Sequence, residues 1–284
     1  MRSIFIIFFA FVFGLANTAN AYDLVLNAPF SKAGSGQLTM RTLAKGLEDK
    51  GYNFDITITS NAKLSKQNYA EINKPLLLGW EAPASSRSNP MYMQPPTEEN
   101  LVAIIVTMGH FICTKKEISL DSVLNGKKQL TIAYDVAFGS WLQEFAKYSG
   151  ANLKLIPYKG SKKVENALVS GEVDLAMSTR GAGWQKKGLA NCLLTSGTDS
   201  VLGIKTVNSV YPDWNDNTLV NTIYIKAKNI PQDKLDQLRK DIEHVKKTSP
   251  EFAALVKKKS WTAVLDKSTD EQLSILEAID KSVK

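Results

Sequence analysis

The stretch YDLVLNAPFSKAGSGQLTMRTLAKGLEDKG, residues 22–51, carries the reading that decides the fold. Asp23–Ala28 is a short, largely apolar run bounded by turn-forming residues, which reads as a buried strand. Pro29–Gln37 is then dominated by small and polar residues. Met40, Leu43, Ala44 and Leu47 follow at i, i+3, i+4 and i+7, the spacing of one helix face, and Gly51 stands where a left-handed stop is expected. Strand, small-residue turn and amphipathic helix in that order are the unit of an α/β sheet.

Working outward, the unit recurs. Phe54–Thr59 alternates as a second strand, Leu76–Gly79 closes a third, and Leu101–Thr107 and Phe111–Thr114 follow. The pattern then restarts with a strand at Leu130–Tyr134 and a helix marked by Phe138, Trp141, Leu142 and Phe145 that ends near Gly150. Leu153–Pro157 and Val173–Ser178 are further strands, separated by a helix over Val164, Ala167 and Leu168 that stops near Gly171. Thr222–Lys226 is a later strand. A helix opened by Pro231 points Leu235, Leu238, Ile242 and Val245 inward, and a last helix begins at the capping-box spacing Ser268-x-x-Glu271. Two βαβ-rich blocks and a helical tail predict an α/β fold with mostly parallel sheets.

Ahead of Tyr22, Met1-Arg2-Ser3 precedes an apolar run from Ile4 to Ala16 and the small-x-small site Ala19-Asn20-Ala21. A basic start, a short apolar core and such a site make a secretory signal peptide, 1–21, with cleavage expected after Ala21. The apolar run is shorter than the roughly 20 residues needed to span a bilayer. Tyr22 rather than Cys follows the site, so a lipid anchor is not indicated. Cleavage leaves 263 of the 284 residues and, with Arg2 gone, a formal charge of +6 instead of +7. The expected location is the periplasm. Composition is that of an ordinary globular protein, which excludes collagenous, coiled-coil and disordered classes. The lysine clusters Lys246-Lys247 and Lys257-Lys258-Lys259 read as the solvated side of C-terminal helices, with no nucleic-acid partner implied. Cys113 and Cys192 leave two readings open, a disulfide in an oxidising compartment or two buried thiols.

Ligands of open α/β sheets gather outside the carboxyl ends of the strands. Five loops qualify here: Pro29–Gln37, Gly79–Ala84, Asp135–Ser140, Tyr158–Ser161 and Ser178–Gly183. Ala33-Gly34-Ser35-Gly36 directly before a helix exposes several backbone N–H groups to an anion, with the helix dipole behind them. It has neither the Gly-Lys-Ser/Thr ending of a phosphate loop nor a Gly-x-Gly-x-x-Gly. The two histidines, His110 and His244, join no catalytic or metal-ligating spacing; His110 reads as a core or hinge residue. No enzyme activity, metal or cofactor is expected.

Several segments resemble the Bug-type periplasmic binding proteins of tripartite tricarboxylate transporters. They are Leu26-Asn-Ala-Pro29-Phe30, Met40-Arg41-Thr-Leu43-Ala44, Ile156-Pro157-Tyr158-Lys159-Gly160 and Leu168-Val-Ser-Gly171-Glu-Val173-Asp174-Leu175. The resemblance implies a two-lobed Venus-flytrap fold of type II. Lobe 1 would comprise 22–115 plus 218–284 and lobe 2 would comprise 116–217. It further implies capture of a small organic carboxylate and its delivery to the membrane permease of a tripartite tricarboxylate-type transporter. The candidate ligand residues are Phe30, Gly34, Ser35, Gly36 and Gln37 in the first loop, Trp80 and Glu81 after the third strand, and Tyr134, Asp135, Phe138, Gly139 and Ser140 in the opposite lobe. Tyr158, Ser178 and Thr179 complete the set.

Two departures bear on the ligand: Gln37 stands where the family has an acidic residue, and Trp80-Glu81 where small hydroxyl residues are common. Acids beside aromatics, with Trp184 added, suit a zwitterionic or amine-bearing solute; the alternative is that the aromatics are core residues and the acids helix caps. A ligand-presenting role toward a histidine-kinase ectodomain uses the same fold.

Overall fold

The computed structural model describes residues 21–28, 35–59, 62–82, 96–135, 139–196, 200–214 and 220–281. Residues 1–20 of the signal segment, Phe30, Gly34 and Phe138 lie outside them.

The chain runs β1 (Tyr22–Ala28), α1 (Ser35–Glu48), β2 (Tyr52–Ile58), α2 (Ala62–Glu71), β3 (Leu76–Ala82) and β4 (Leu101–Gly109). It then enters a second unit: β5 (Phe111–Thr114), α3 (Leu120–Leu124), β6 (Leu130–Asp135), α4 (Gly139–Ser149), β7 (Leu153–Tyr158), α5 (Ser161–Ser170), β8 (Leu175–Ser178), α6 (Gly181–Lys186), β9 (Asn191–Thr195), β10 (Lys205–Thr206) and α7 (Val207–Val210). It returns through β11 (Val220–Lys228), α8 (Gln232–Thr248), α9 (Pro250–Lys259), β12 (Thr262–Ala263) and α10 (Thr269–Lys281).

Two six-stranded sheets result, ordered β12-β4-β11-β3-β1-β2 and β10-β9-β5-β8-β6-β7. The parallel arrangement expected from the βαβ pattern holds within β2-β1-β3 and β7-β6-β8. Both sheets are nonetheless mixed, because β11 runs antiparallel to β3 and β4, and β5 antiparallel to β8 and β9. These are the strands that enter a sheet after crossing from the other one, so they need not follow the local βαβ direction. The first crossing is at His110, which is fully buried between β4 and β5. Residues 111–114, assigned to lobe 1 from sequence, therefore pair in the second sheet.

Each sheet is covered on both faces. On the first, Met40, Leu43 and Leu47 of α1 and Leu235, Leu238, Ile242 and Val245 of α8 pack against Leu24, Leu26, Leu77 and Ile105. Burying side chains of this size stabilises by about 1.5–3 kcal/mol each, which explains why the 3.6-residue stripe was so readable. Leu276 and Ile279 of α10 cover the other face, over Leu78, Trp80 and Ile104. In the second sheet, Trp141 and Phe145 of α4 stack with each other and Trp141 with Trp214, at centroid distances of 5.4 and 5.6 Å. That stack fixes Trp214, the last described residue before the return to β11, onto the second lobe. Val164, Ala167 and Leu168 of α5 and Ala182 and Trp184 of α6 fill the opposite face.

The expected stops and caps form as bonds. Gly171 adopts φ 80° and donates to the Leu168 carbonyl. Ser268 Oγ accepts from the Glu271 amide at 3.2 Å while Glu271 Oε2 accepts from the Ser268 amide at 2.8 Å. Lys246, expected on a solvated face, is instead buried, and its ammonium donates to Glu243 at 2.7 Å and to the Ile104 and Val264 carbonyls. Cys113 and Cys192 are cross-strand neighbours on β5 and β9 and form a disulfide, which decides the question the sequence left open. The lobes also touch where Lys186 of α6 donates to Ser260 Oγ at 2.7 Å and to the Lys257 carbonyl at 3.3 Å, at the end of α9.

Candidate functional site

The strand registers locate the cleft. β4 is antiparallel to β11 and β11 to β3, so β4 and β3 run the same way and Gly109 ends at the edge where Ala28, Ile58 and Ala82 end. Across the hinge, Phe111 at the start of β5 is paired with Ser178 at the end of β8. The carboxyl ends of β1, β2 and β3 and those of β6, β7 and β8 thus flank the same crossover. Each sheet presents its ligand-gathering edge there.

The crossover is tightly tied. The His110 amide donates to Ser196 Oγ at 2.8 Å, and the Ser196 amide donates to the His110 carbonyl at 2.8 Å. A β-carbon on Gly109 would come within 2.5 Å of the Ser196 carbonyl oxygen, so only glycine fits this approach.

On the first lobe, α1 starts at Ser35, so Ser35, Gly36 and Gln37 form the helix's first turn instead of a free loop. Gly36 and Gln37 are buried. Gln37 is three residues before Met40, whose sulfur lies over Gly79 of β3, so it sits on the sheet-facing stripe one turn nearer the carboxyl ends. Neither its amide nitrogen nor its amide oxygen has a hydrogen-bond partner. On the same lobe a satisfied polar network closes β1 against α2. Asn27 accepts from Thr59 at 3.3 Å and Ser65 at 3.4 Å and donates to the Ser65 carbonyl at 3.2 Å.

The loop expected at Gly79–Ala84 is strand as far as Ala82, with Trp80 opposite Tyr224 and Glu81 opposite Ile223. Trp80 is buried in the cluster under α10, on the face away from α1. On the second lobe, β6 ends in Tyr134 and Asp135, and α4 opens with Gly139 and Ser140. The Tyr134 ring lies so close to Gly139 that a β-carbon there would meet Cε2 at 2.8 Å, which puts the phenol beside the N-terminus of α4. Because β6 pairs with β8 with Tyr134 opposite Met177, Asp135 and Ser178 are neighbours at the edge. Ser178 Oγ accepts from the Arg180 amide at 3.1 Å, and Thr179 is half-exposed in the turn.

Tyr158 is otherwise engaged. Its hydroxyl donates to Glu172 at 2.6 Å, which, with burial, pushes its pKa up to about 12. Trp184 is also buried, its indole N–H donating to Glu165 at 2.9 Å. Burial opposes ionisation of Glu165, but hydrogen bonds from Lys162 and Trp184 and the charge of Arg180, 3.3 Å away, outweigh it and lower its pKa. Asp174, of the Gly171-Glu-Val-Asp174 segment, accepts from the Thr131 amide at 2.9 Å, Thr131 Oγ1 at 2.8 Å and Lys116 at 2.6 Å. Burial pulls its pKa upward, yet these bonds prevail and hold it at about 2. The residues brought to the cleft edges are therefore Ser35, Gly36 and Gln37 on one side, and Tyr134, Asp135, Gly139, Ser140, Ser178 and Thr179 on the other. Sequence reading missed the Asn27–Thr59–Ser65 and Glu165–Trp184–Arg180 networks, in each of which one member, Asn27 or Glu165, comes from a distant part of the chain. Among the described residues no cluster of His, Cys, Asp and Glu is arranged to hold a metal, and no helix is long and apolar enough to cross a membrane.

This is the two-lobed α/β fold of periplasmic binding proteins. The chain is similar to BugD, a periplasmic binding protein (18% identity, 92% of this chain and 95% of that one, TM-score 0.68). It is also similar to a Rhodopseudomonas palustris protein solved with adipate (14%, 91% and 94%, TM-score 0.71) and to MatC from the same organism with bound malate (13%, 94% and 100%, TM-score 0.68). No family model matches the sequence, and no curated protein does.

Proposed function

We propose that this protein is a periplasmic solute-binding receptor of the Bug type that captures a small organic carboxylate. It would enter the periplasm by cleavage after Ala21 and deliver its ligand to a tripartite tricarboxylate-type permease. The observation that carries the reading is the opposition of two helix N-termini, α1 from one lobe and α4 from the other, at the facing carboxyl edges of the sheets. Each offers first-turn backbone N–H groups, which have no acceptor within their own helix, and the positive end of a helix dipole, the environment a carboxylate oxygen seeks. Lobe closure would exclude water and strengthen each of those bonds. The malate and adipate held by proteins of this fold support the ligand class. The start of β1 at Tyr22, one residue after the expected cleavage site, agrees with the proposed mature terminus.

Isothermal titration of the mature protein against C4–C6 dicarboxylates and citrate tests the reading. Saturable binding of at least one acid is the expected result. Silence across the series would refute it.

A further inference from the structure

We infer that the side-chain amide of Gln37 is held in reserve for the ligand and selects acids that carry an O–H or N–H donor next to the carboxylate. The inference rests on the cleft reading above and extends it to substrate class. Three side-chain amides are buried among the described residues, those of Asn27, Gln37 and Gln272. Asn27 is engaged by Thr59 and Ser65. Gln272 accepts from the Ile104 amide and donates to the Lys267 carbonyl at 2.9 Å. Gln37, only 1% exposed, leaves both ends of its amide empty. An unsatisfied buried amide destabilises the fold that contains it.

Its position gives the amide a use. Gln37 is in the first turn of the fourteen-residue helix α1, on the stripe that runs from Met40 over Gly79 toward the ends of β1 and β3. A ligand carboxylate at this helix N-terminus would accept from the Gln37 NH2 group but leave the amide oxygen unfilled. A hydroxyl or ammonium on the adjacent carbon supplies the missing donor. A site whose own acceptor stays empty without that group rejects the analogue lacking it.

The test uses matched acids differing only at C2: succinate, malate and aspartate, with the corresponding C5 and C6 series. Wild-type protein is expected to bind the hydroxy or amino acid at least tenfold more tightly than its plain counterpart; the hydroxyl and ammonium arms identify which donor is read. In Gln37→Met the preference falls to within about twofold, while the ligand-free protein melts about 2–5 °C higher because the empty amide is gone. Gln37→Glu keeps the shape but is charged at neutral pH. With the NH2 donor replaced by a carboxylate oxygen, affinity for every acid of the series is expected to fall. Equal binding of plain and substituted acids, or a preference that survives Gln37→Met, overturns the inference and leaves the carboxylate reading standing. A Tm that falls in Gln37→Met overturns it as well, even if no acid binds. Absence of binding across all series refutes the carboxylate reading and, with it, the selectivity inferred from Gln37, whereas equal binding overturns the selectivity alone.

Discussion

Opening the Cys113–Cys192 bridge is the perturbation whose size follows most directly from the topology. The two cysteines are 79 residues apart, and the ring they close holds nearly all of the second lobe, from α3 to the start of β9. Loop-closure entropy for a ring of that length is about 4.5 kcal/mol, near the top of the 2–5 kcal/mol typical of native disulfides. Both sulfurs are buried, Cys192 at 6% exposure, so a reductant acts on the unfolded chain and leaves the native state intact. Urea unfolding can be followed through Trp141, Trp184 and Trp214, all packed in the second lobe. With dithiothreitol present the midpoint is expected to fall by about 2 M, given a slope near 2 kcal/mol per M. The double variant C113A/C192A should match the reduced wild type and be insensitive to reductant. Coincident midpoints with and without reductant would show that the β5–β9 pairing stands without the bridge, and the entropy argument would fail.

Other expectations follow from single contacts. Asp174→Asn removes a carboxylate held near pKa 2 against an ordinary 3.8, a difference worth about 2 kcal/mol. Because the folded pKa is depressed, that stability is present above about pH 4 and is lost as pH falls toward 2; thermal melts of the variant should lack this acid-side step. Gly181→Ala would bring a β-carbon within 2.3 Å of Phe111 Cβ and 2.7 Å of Cys113 Sγ, an overpacking cost of about 1–3 kcal/mol readable by urea titration. Ser268→Ala deletes the α10 cap and should lower stability by about 1 kcal/mol, or a Tm shift of about 2–4 °C, with acid binding unchanged.

The parts of the fold legible in the sequence were those with a period. The α1 stripe, the inward row of α8, Gly171 and the Ser268 cap all stand where spacing put them. α2 escaped notice because its buried positions include Ser65 and it has no broad apolar stripe. The antiparallel course of β5 and β11, and the pairing of Cys113 with Cys192, depend on which lobe the chain has just left, and no local window holds that information. At the site, small-residue turns pointed to the right sheet edges, since a helix must begin there. Side-chain direction was less legible: Trp80 lies one residue after Gly79, so strand alternation turns it to the α10 face. Tyr158 is taken up by Glu172, fourteen residues away in sequence. The empty amide of Gln37 was invisible for the same reason, because lacking a partner is a property of the packed structure.

The claim that the ligand lies between the N-termini of α1 and α4 is tested most directly by amide hydrogen exchange with the acid that calorimetry selects. Binding is expected to slow exchange in two separate places at once, at Gly36–Leu38 and at Ser140–Leu142, while the outer surface of α8 stays unchanged. Protection confined to one lobe, or found only between α8 and α10, would contradict it.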